Sequence, residues 1–272
     1  MWLGIDFSGN DAMWRAGCRR SNVWIARAGA GRGRLELQDL RRVQELPGSG
    51  PPFERLAALL ARREHDAAGI DAPCALPAAY AGGAHAALLT RAAALPREGR
   101  AFPRGEAFVL GMTGRPAPLS PPKPTRRTEA DWLRLGVNVR STLWAGARGG
   151  APMTAACLAL LHAAGAPVWP FVEEGPGLVV EAFPAAQLHA WGLPHESYGA
   201  PAHGPARAVR AVIVEALRER IALGRLEPLL RANADALDAV LCLFGAVAVG
   251  TGRLTAPPEA DARAEGWIAV HR

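Results

Sequence analysis

Lysine is nearly missing from this 272-residue chain, since Lys123 is the only one and arginine makes up the rest of its 31 basic residues. Cysteine is scarce as well. Cys18, Cys74, Cys157 and Cys242 stand far apart with no C-x-x-C pair, which excludes a disulfide-stapled scaffold and a cysteine-based zinc site. Three of the four lie in apolar stretches, as reduced core thiols do. Long unbroken apolar runs are lacking: Ala239 to Thr251, uncharged and strongly apolar, falls short of the roughly 20 residues of a membrane span, so no membrane role is expected. The N-terminus has no basic region followed by an apolar one, which argues against a secretory signal and leaves the cytoplasm as the expected location. The seven histidines, among them His189, His195 and His203, show no H-E-x-x-H spacing. Gly29-Ala-Gly-Arg-Gly33 has no Lys-Ser/Thr after it and joins two strands, so it reads as a turn and not as a phosphate loop.

What is present suits a soluble globular α/β protein. Half of the residues are apolar, enough for a substantial core at this length. The formal net charge of +6 and the pI near 9.9 suit an anionic partner such as nucleic acid, but the basic residues are spread along the chain. The eight tryptophans are too dispersed to form a base-stacking platform. Abundant alanine, glycine and proline beside arginine fit codon composition as much as function.

Residues 1–8, about 21–28 and about 34–39 read as three antiparallel strands with tight connections. A helix over about 52–63, with Leu56, Leu59 and Leu60 on one face, leads to a short apolar strand, Ala67 to Asp71, stopped by Pro73. A helix between strands is the crossover that a parallel pair requires. From about 74 to 170 the pattern dissolves into Pro- and Gly-rich stretches, with helices expected from Thr128, where Thr128-x-x-Asp131 resembles a capping box, and from Pro152 to about Ala164. This stretch is expected to be an insertion over one edge of the core, between the fourth and fifth strands of a single domain spanning 1–272. A fifth strand, Leu178 to Ala182, is followed by helices at about 184–191 and 205–223. One last long helix is expected from Pro228 to Gly250, and Trp267 to Val270 as a terminal edge strand.

Three well-separated apolar segments each carry an acid at one end: Asp6 in Trp2-Leu-Gly-Ile-Asp-Phe-Ser-Gly9, Asp71 in Gly69-Ile-Asp-Ala-Pro73, and Asp235 with Asp238 at the head of the last apolar helix. An acid placed where the chain is about to be buried is costly unless something cationic meets it, and converging carboxylates suit a divalent metal. Asp235 and Asp238, three residues apart, lie about 60° from each other around a helix. Below them the same face carries Ala239, Cys242, Ala246 and Val249, a stripe small enough for close approach to a neighbouring layer.

These residues, in this order, resemble the ribonuclease H-like superfamily, and Asp235-x-x-Asp-Ala239 resembles the final-helix motif of RuvC-type junction resolvases. More narrowly, Gly4-Ile-Asp6, Ile70-Asp-Ala-Pro73, Glu181-Ala-Phe-Pro-Ala185, Asp235-x-x-Asp-Ala239 and Glu265-Gly-Trp-Ile268 are similar to the domain of unknown function 429 (DUF429) family, predicted nucleases of that fold. The resemblance implies a mixed five-stranded sheet, three antiparallel strands and then parallel ones, with helices on both faces. It also implies a nuclease using two Mg²⁺ or Mn²⁺ ions. Asp6 would bridge the ions, Asp71 and Asp238 would each hold one, and Asp235 would be a ligand or stand behind one. Glu181 would be a ligand or an orienter. For the helical glutamate common in the superfamily the chain offers Glu54 or Glu64.

Each residue also has an ordinary reading. Asp71 before Ala-Pro can cap a turn, Asp235 can be a solvated helix residue, Asp6 can end its strand in a turn, and Glu181 can pair with a buried arginine. Arg126-Arg127 suits a phosphate contact or plain solvation, and His195 or His203 a proton shuttle. Two other functions fit parts of the pattern. One is a non-catalytic nucleic-acid or partner-binding module of the same fold. The other is a phosphotransferase of the actin and sugar-kinase type, which needs two such halves where this chain has one. Oligomeric state leaves no mark in the sequence.

Overall fold

A computed structural model describes residues 1–31, 33–146, 149–199, 204–255 and 257–272. Its strands are β1 (Trp2–Asp6), β2 (Trp24–Ala30), β3 (Leu35–Arg42), β4 (Ala67–Ile70), β5 (Val168–Trp169), β6 (Leu178–Glu181) and β7 (Ile221–Ala222). They form one mixed sheet in the order β5-β6-β4-β1-β2-β3-β7. β2 and β3, joined by a short connection, pair antiparallel, and β1 pairs antiparallel with β2 across the longer connection 7–23, whereas β4 lies parallel to β1, β6 to β4, β5 to β6 and β7 to β3. The sheet thus has seven strands instead of the expected five. The two additional ones, β5 and β7, are two residues each and lie at the edges, too short for an alternating pattern to register.

The helices are α1 (Pro52–Ala61), α2 (Ala78–Ala81), α3 (His85–Ala93), α4 (Gly105–Thr113), α5 (Arg127–Arg134), α6 (Ala151–Ala164), α7 (Pro184–Ala190), α8 (Pro205–Leu217), α9 (Glu227–Ala232), α10 (Ala234–Gly250) and α11 (Glu259–Glu265). They cover both faces of the sheet, and the period-two alternation of the strands decides which residues each face receives. Leu3, Ile5, Ile25, Ala68, Ile70 and Val179 pack with α1, α3, α4 and α6. Ala26, Ala28, Leu37 and Leu40 point the other way, into a second core with α8 and α10. Within the stretch between β4 and β5, α6 is a core element: it is apolar nearly all round and packs against α1, α3 and α4.

Three local expectations change. The last long helix is two, because Asn233 takes an extended conformation (φ −131°, ψ 118°) between α9 and α10 and its side chain accepts a hydrogen bond from Ala236 N–H at 2.9 Å. Asn is among the strongest N-caps, which is why the break falls there. The helix expected over 205–223 stops at Leu217 so that Ile221 can pair beside Leu35. The segment from Trp267 to Val270 is no strand; Ala269 N–H donates to the Glu181 carbonyl at 2.9 Å, and only an isolated bridge joins Leu254 to His271.

Candidate carboxylate site and adjoining cleft

Two glycines set the position of the acids. A Cβ on Gly4 in β1 would stand 2.0 Å from the Ala239 carbonyl oxygen, and one on Gly69 in β4 would stand 1.9 Å from that of Cys242. Only glycine permits so close an approach, so α10 lies directly on β1 and β4 along its stripe of small residues. Its far end, at Gly250, meets the ring of Trp2. The helix therefore runs antiparallel to β1, and its acidic head lies at the carboxyl end of that strand.

Asp6 closes β1 and is 6% exposed. Asp71 follows β4, with its N–H donating to the Ile5 carbonyl at 2.9 Å, while Asp235 and Asp238 occupy the first two turns of α10. All three are partly accessible. Their fields meet. Burial pushes the Asp6 carboxyl well above the usual range, and the negative charges of Asp238, Asp71 and Asp235 add to it, against a small opposing effect from Phe7 N–H. Asp238 is pushed up by burial and by Asp71 and Asp235, with the Tyr198 hydroxyl opposing. Asp71 is pushed up to about 7, chiefly by burial, with Arg140 opposing and Glu181 adding. Burial also raises Asp235, with Arg42 opposing. The structure thus brings the four aspartates together at one end of the sheet: the charges of Asp71, Asp235 and Asp238 raise Asp6 and those of Asp71 and Asp235 raise Asp238, whereas Arg140 and Arg42 temper Asp71 and Asp235.

Sequence reasoning overlooked Tyr198, whose hydroxyl donates to Asp238 Oδ1 at 2.8 Å. One of only two tyrosines, it lies in a loop without a recognisable motif. Its phenol is itself pushed well up by burial and by Asp238, as expected of a donor held against a carboxylate.

Glu181 is placed differently. It shares the strand face of Val179, towards α1 and α6, and both its oxygens engage Arg126: Nη1 donates to Oε2 at 2.7 Å and Nη2 donates to Oε1. Cys74 N–H adds a third bond to Oε2 at 2.9 Å, and Arg126 Nε reaches Glu129 Oε1 at 2.9 Å. Arg126, Glu129 and Glu181 are 1%, 0% and 3% exposed. Of the two readings of Glu181, the buried arginine pair describes its contacts. Arg126 is not the exposed phosphate contact that Arg126-Arg127 suggested, and the box at this helix start joins Arg126 N–H to Glu129 Oε2 at 3.1 Å instead of Thr128 to Asp131. Arg127 is exposed and bonds to Asp131. Glu54 and Glu64 are exposed and are not among the groups acting on the four aspartates. His195 meets the ring of His189 edge-on with 5.1 Å between centroids, and is likewise not among them. His203 lies outside the described residues.

A cleft of about 720 Å³ opens at the carboxyl ends of β1, β4 and β6, bounded there by Phe7 to Asp11, Asp71 to Pro73 and Glu181 to Phe183. Crevices beyond the carboxyl ends of parallel strands are where open α/β sheets take their ligands. Asp71 belongs to both features, lining the cleft and acting on Asp6 and Asp238.

Four carboxylates are the oxygen donors that hard divalent cations prefer, and their repulsion is what such a cation relieves, so the donor chemistry fits Mg²⁺ or Mn²⁺. The side chains as they stand are not closed around one point: among the described residues, no three His, Cys, Asp or Glu groups form a ready metal cage. No helix among the described residues is long and apolar enough to cross a membrane.

The model of the family described as protein of unknown function (DUF429) matches residues 4–263. No curated protein and no solved structure matches the chain.

Proposed function

The chain belongs to the DUF429 family, and on that premise we propose that it is a divalent-metal-dependent hydrolase of phosphodiester bonds, a nuclease of ribonuclease H-like architecture. The observation that carries this is the convergence of Asp6, Asp71, Asp235 and Asp238, each raised by burial, with Asp6 and Asp238 raised further by the charges of neighbouring aspartates. Folding four acids together, with Arg140 and Arg42 tempering only Asp71 and Asp235, is a standing cost, tolerated where function requires it. Three antiparallel strands followed by parallel β4 and β6, with an acid-headed helix laid on β1, support the architectural part of the reading.

Asp6, Asp71 and Asp238 would hold Mg²⁺ or Mn²⁺, with Asp235 as a further ligand or as the partner that orients one. When bound, these ions supply a water nucleophile at neutral pH and stabilise the charge on the leaving oxygen. The chain's own contribution is positional. Gly4 and Gly69 let α10 carry Asp238 down to Asp6, and Tyr198 fixes the Asp238 carboxylate through Oδ1. Burial of Asp6 keeps water from satisfying it, which strengthens its demand for a cation.

Because no three donors are yet gathered as a cage among the described residues, a binding module of the same fold that does not turn over is the second reading. Thermal unfolding of the wild type and of Asp6→Asn with and without Mn²⁺, together with cleavage of single-stranded DNA and RNA, separates the two. Mn²⁺ at a hundred times its Kd should stabilise the wild type by about 2.7 kcal/mol, and Asp6→Asn should lose both that gain and any Mn²⁺-dependent cleavage while remaining folded. A wild type indifferent to millimolar Mn²⁺ refutes the hydrolase reading.

A further inference from the structure

We infer that the cleft beside Asp71 binds a phosphate ester of nucleotide size, its phosphate received by Arg100 and Arg140 and its organic part by the apolar wall of Val139, Met153 and Phe183. The inference names the substrate class for the hydrolase reading above, a phosphodiester bound through one nucleotide unit for which a mononucleotide is the binding probe, and rests on that reading for the role, although the cleft itself is independent of any metal.

Size is the first argument. At about 720 Å³ the cleft falls within the roughly 300–1,000 Å³ that encloses a small organic ligand. Duplex recognition relies instead on basic residues tracking an extended backbone, and the basic residues of this chain are dispersed.

Charge is the second argument. Arginines and acids both line the cleft, and what matters is which of them are already committed. Arg126 is spent on Glu181 and Glu129, and Arg104 stands 3.1 Å from Glu98. Among the acids, Asp11 accepts a hydrogen bond from Ala101 N–H at 3.3 Å, Asp71 belongs to the carboxylate group, and Glu106 is exposed in the first turn of α4. Arg100 and Arg140 make no ion pair among the described residues, yet both line the cleft. An uncommitted guanidinium presents a planar fork of donors that matches phosphate oxygens two at a time. Arg140 is also the cation whose field reaches Asp71, so a phosphate resting on it lies near the acids that would hold the metal ions and their attacking water. Val139, Met153 and Phe183, which also line the cleft, are half-buried and keep apolar surface there for a sugar or base.

The test is a calorimetric titration of adenosine 5′-monophosphate into the full chain in EDTA, with adenosine, inorganic phosphate and a 20-base-pair DNA duplex as parallel probes. The proteins are the wild type, Asp6→Asn and the double variant Arg100→Gln with Arg140→Gln, each shown folded by circular dichroism. The nucleotide should bind the wild type and Asp6→Asn alike, bind the double variant at least tenfold more weakly, and outcompete adenosine and inorganic phosphate. Equal nucleotide binding by the double variant, no binding by the folded wild type, inorganic phosphate binding as tightly as the nucleotide, or a duplex that binds more tightly and displaces it would each overturn the inference. The Mn²⁺ stabilisation described above, measured on the same samples, keeps the two readings apart. Stabilisation without nucleotide binding refutes the cleft alone, and nucleotide binding without stabilisation refutes the metal site alone.

Discussion

Replacing Asp71 with Asn tests whether its buried carboxyl ionises at a cost in the folded protein. In the metal-free native state the Asp71 carboxyl keeps its proton to about pH 7, whereas its ordinary value is 3.8. The folded state thus binds more protons than the unfolded chain between those limits, so stability attributable to this group is complete below about pH 4 and is lost as the pH rises towards 7. At 1.36 kcal/mol per pH unit, the gap from 3.8 to about 7 sets a ceiling of about 4 kcal/mol. Water at the cleft mouth screens part of that, and about 2–4 kcal/mol is expected. Asn cannot ionise, so its amide shifts stability by an amount that does not vary with pH. Urea unfolding in EDTA from pH 4.5 to 8.5 should therefore show Asp71→Asn gaining on the wild type steadily up to about pH 7 and then holding level. In saturating Mn²⁺ the wild type should recover what it lost, because a cation takes the place of the proton. A stability difference that stays flat with pH, or that moves against Asp71→Asn as the pH rises, would show that Asp71 ionises without penalty and that burial does not hold its proton.

Two further changes test the supports of the site. Gly4→Ala puts a methyl group 2.0 Å from the Ala239 carbonyl oxygen, so α10 must move off β1; a loss of about 3 kcal/mol is expected from such overpacking, together with loss of Mn²⁺ stabilisation, both read by denaturant titration, and a neutral Gly4→Ala would contradict the close approach. Arg126→Met leaves Glu129 and Glu181 buried without their cation, for an expected loss of about 3–5 kcal/mol; adding Glu129→Gln and Glu181→Gln should restore a good part of it, and no recovery would mean that the arginine acts by its volume alone.

The two levels of information divided along physical lines. The stripe Ala239, Cys242 and Ala246 announced a helix lying close to its neighbour, and the sheet answered with Gly4 and Gly69, which offer no side chain to pattern analysis. The chain's alternation and turn chemistry were enough for β1, β2, β3, β4 and β6, because each is long enough, or apolar enough, to carry its own signal. β5 and β7 were not legible, since two residues have no period and pair only because the sheet already exists. Asn233 could have been read as a cap, but the apolar pattern on both sides runs through it, and only the φ of −131° shows that the helix restarts there.

By itself, the sequence determined that four aspartates stand at the ends of apolar segments, because an acid beside buried hydrophobic residues is a local anomaly that needs no contact map. Only the tertiary structure decided what each acid meets. It gave Glu181 to Arg126, 55 residues away along the chain, and left Asp6 facing other aspartates. It added Tyr198 to Asp238 across 40 residues, and gathered Arg100 and Arg140 on the cleft that Asp71 shares. Pairing between residues this distant is set by how strands and helices stack, and the free energy of that stacking belongs to the whole core, so no single segment could announce it.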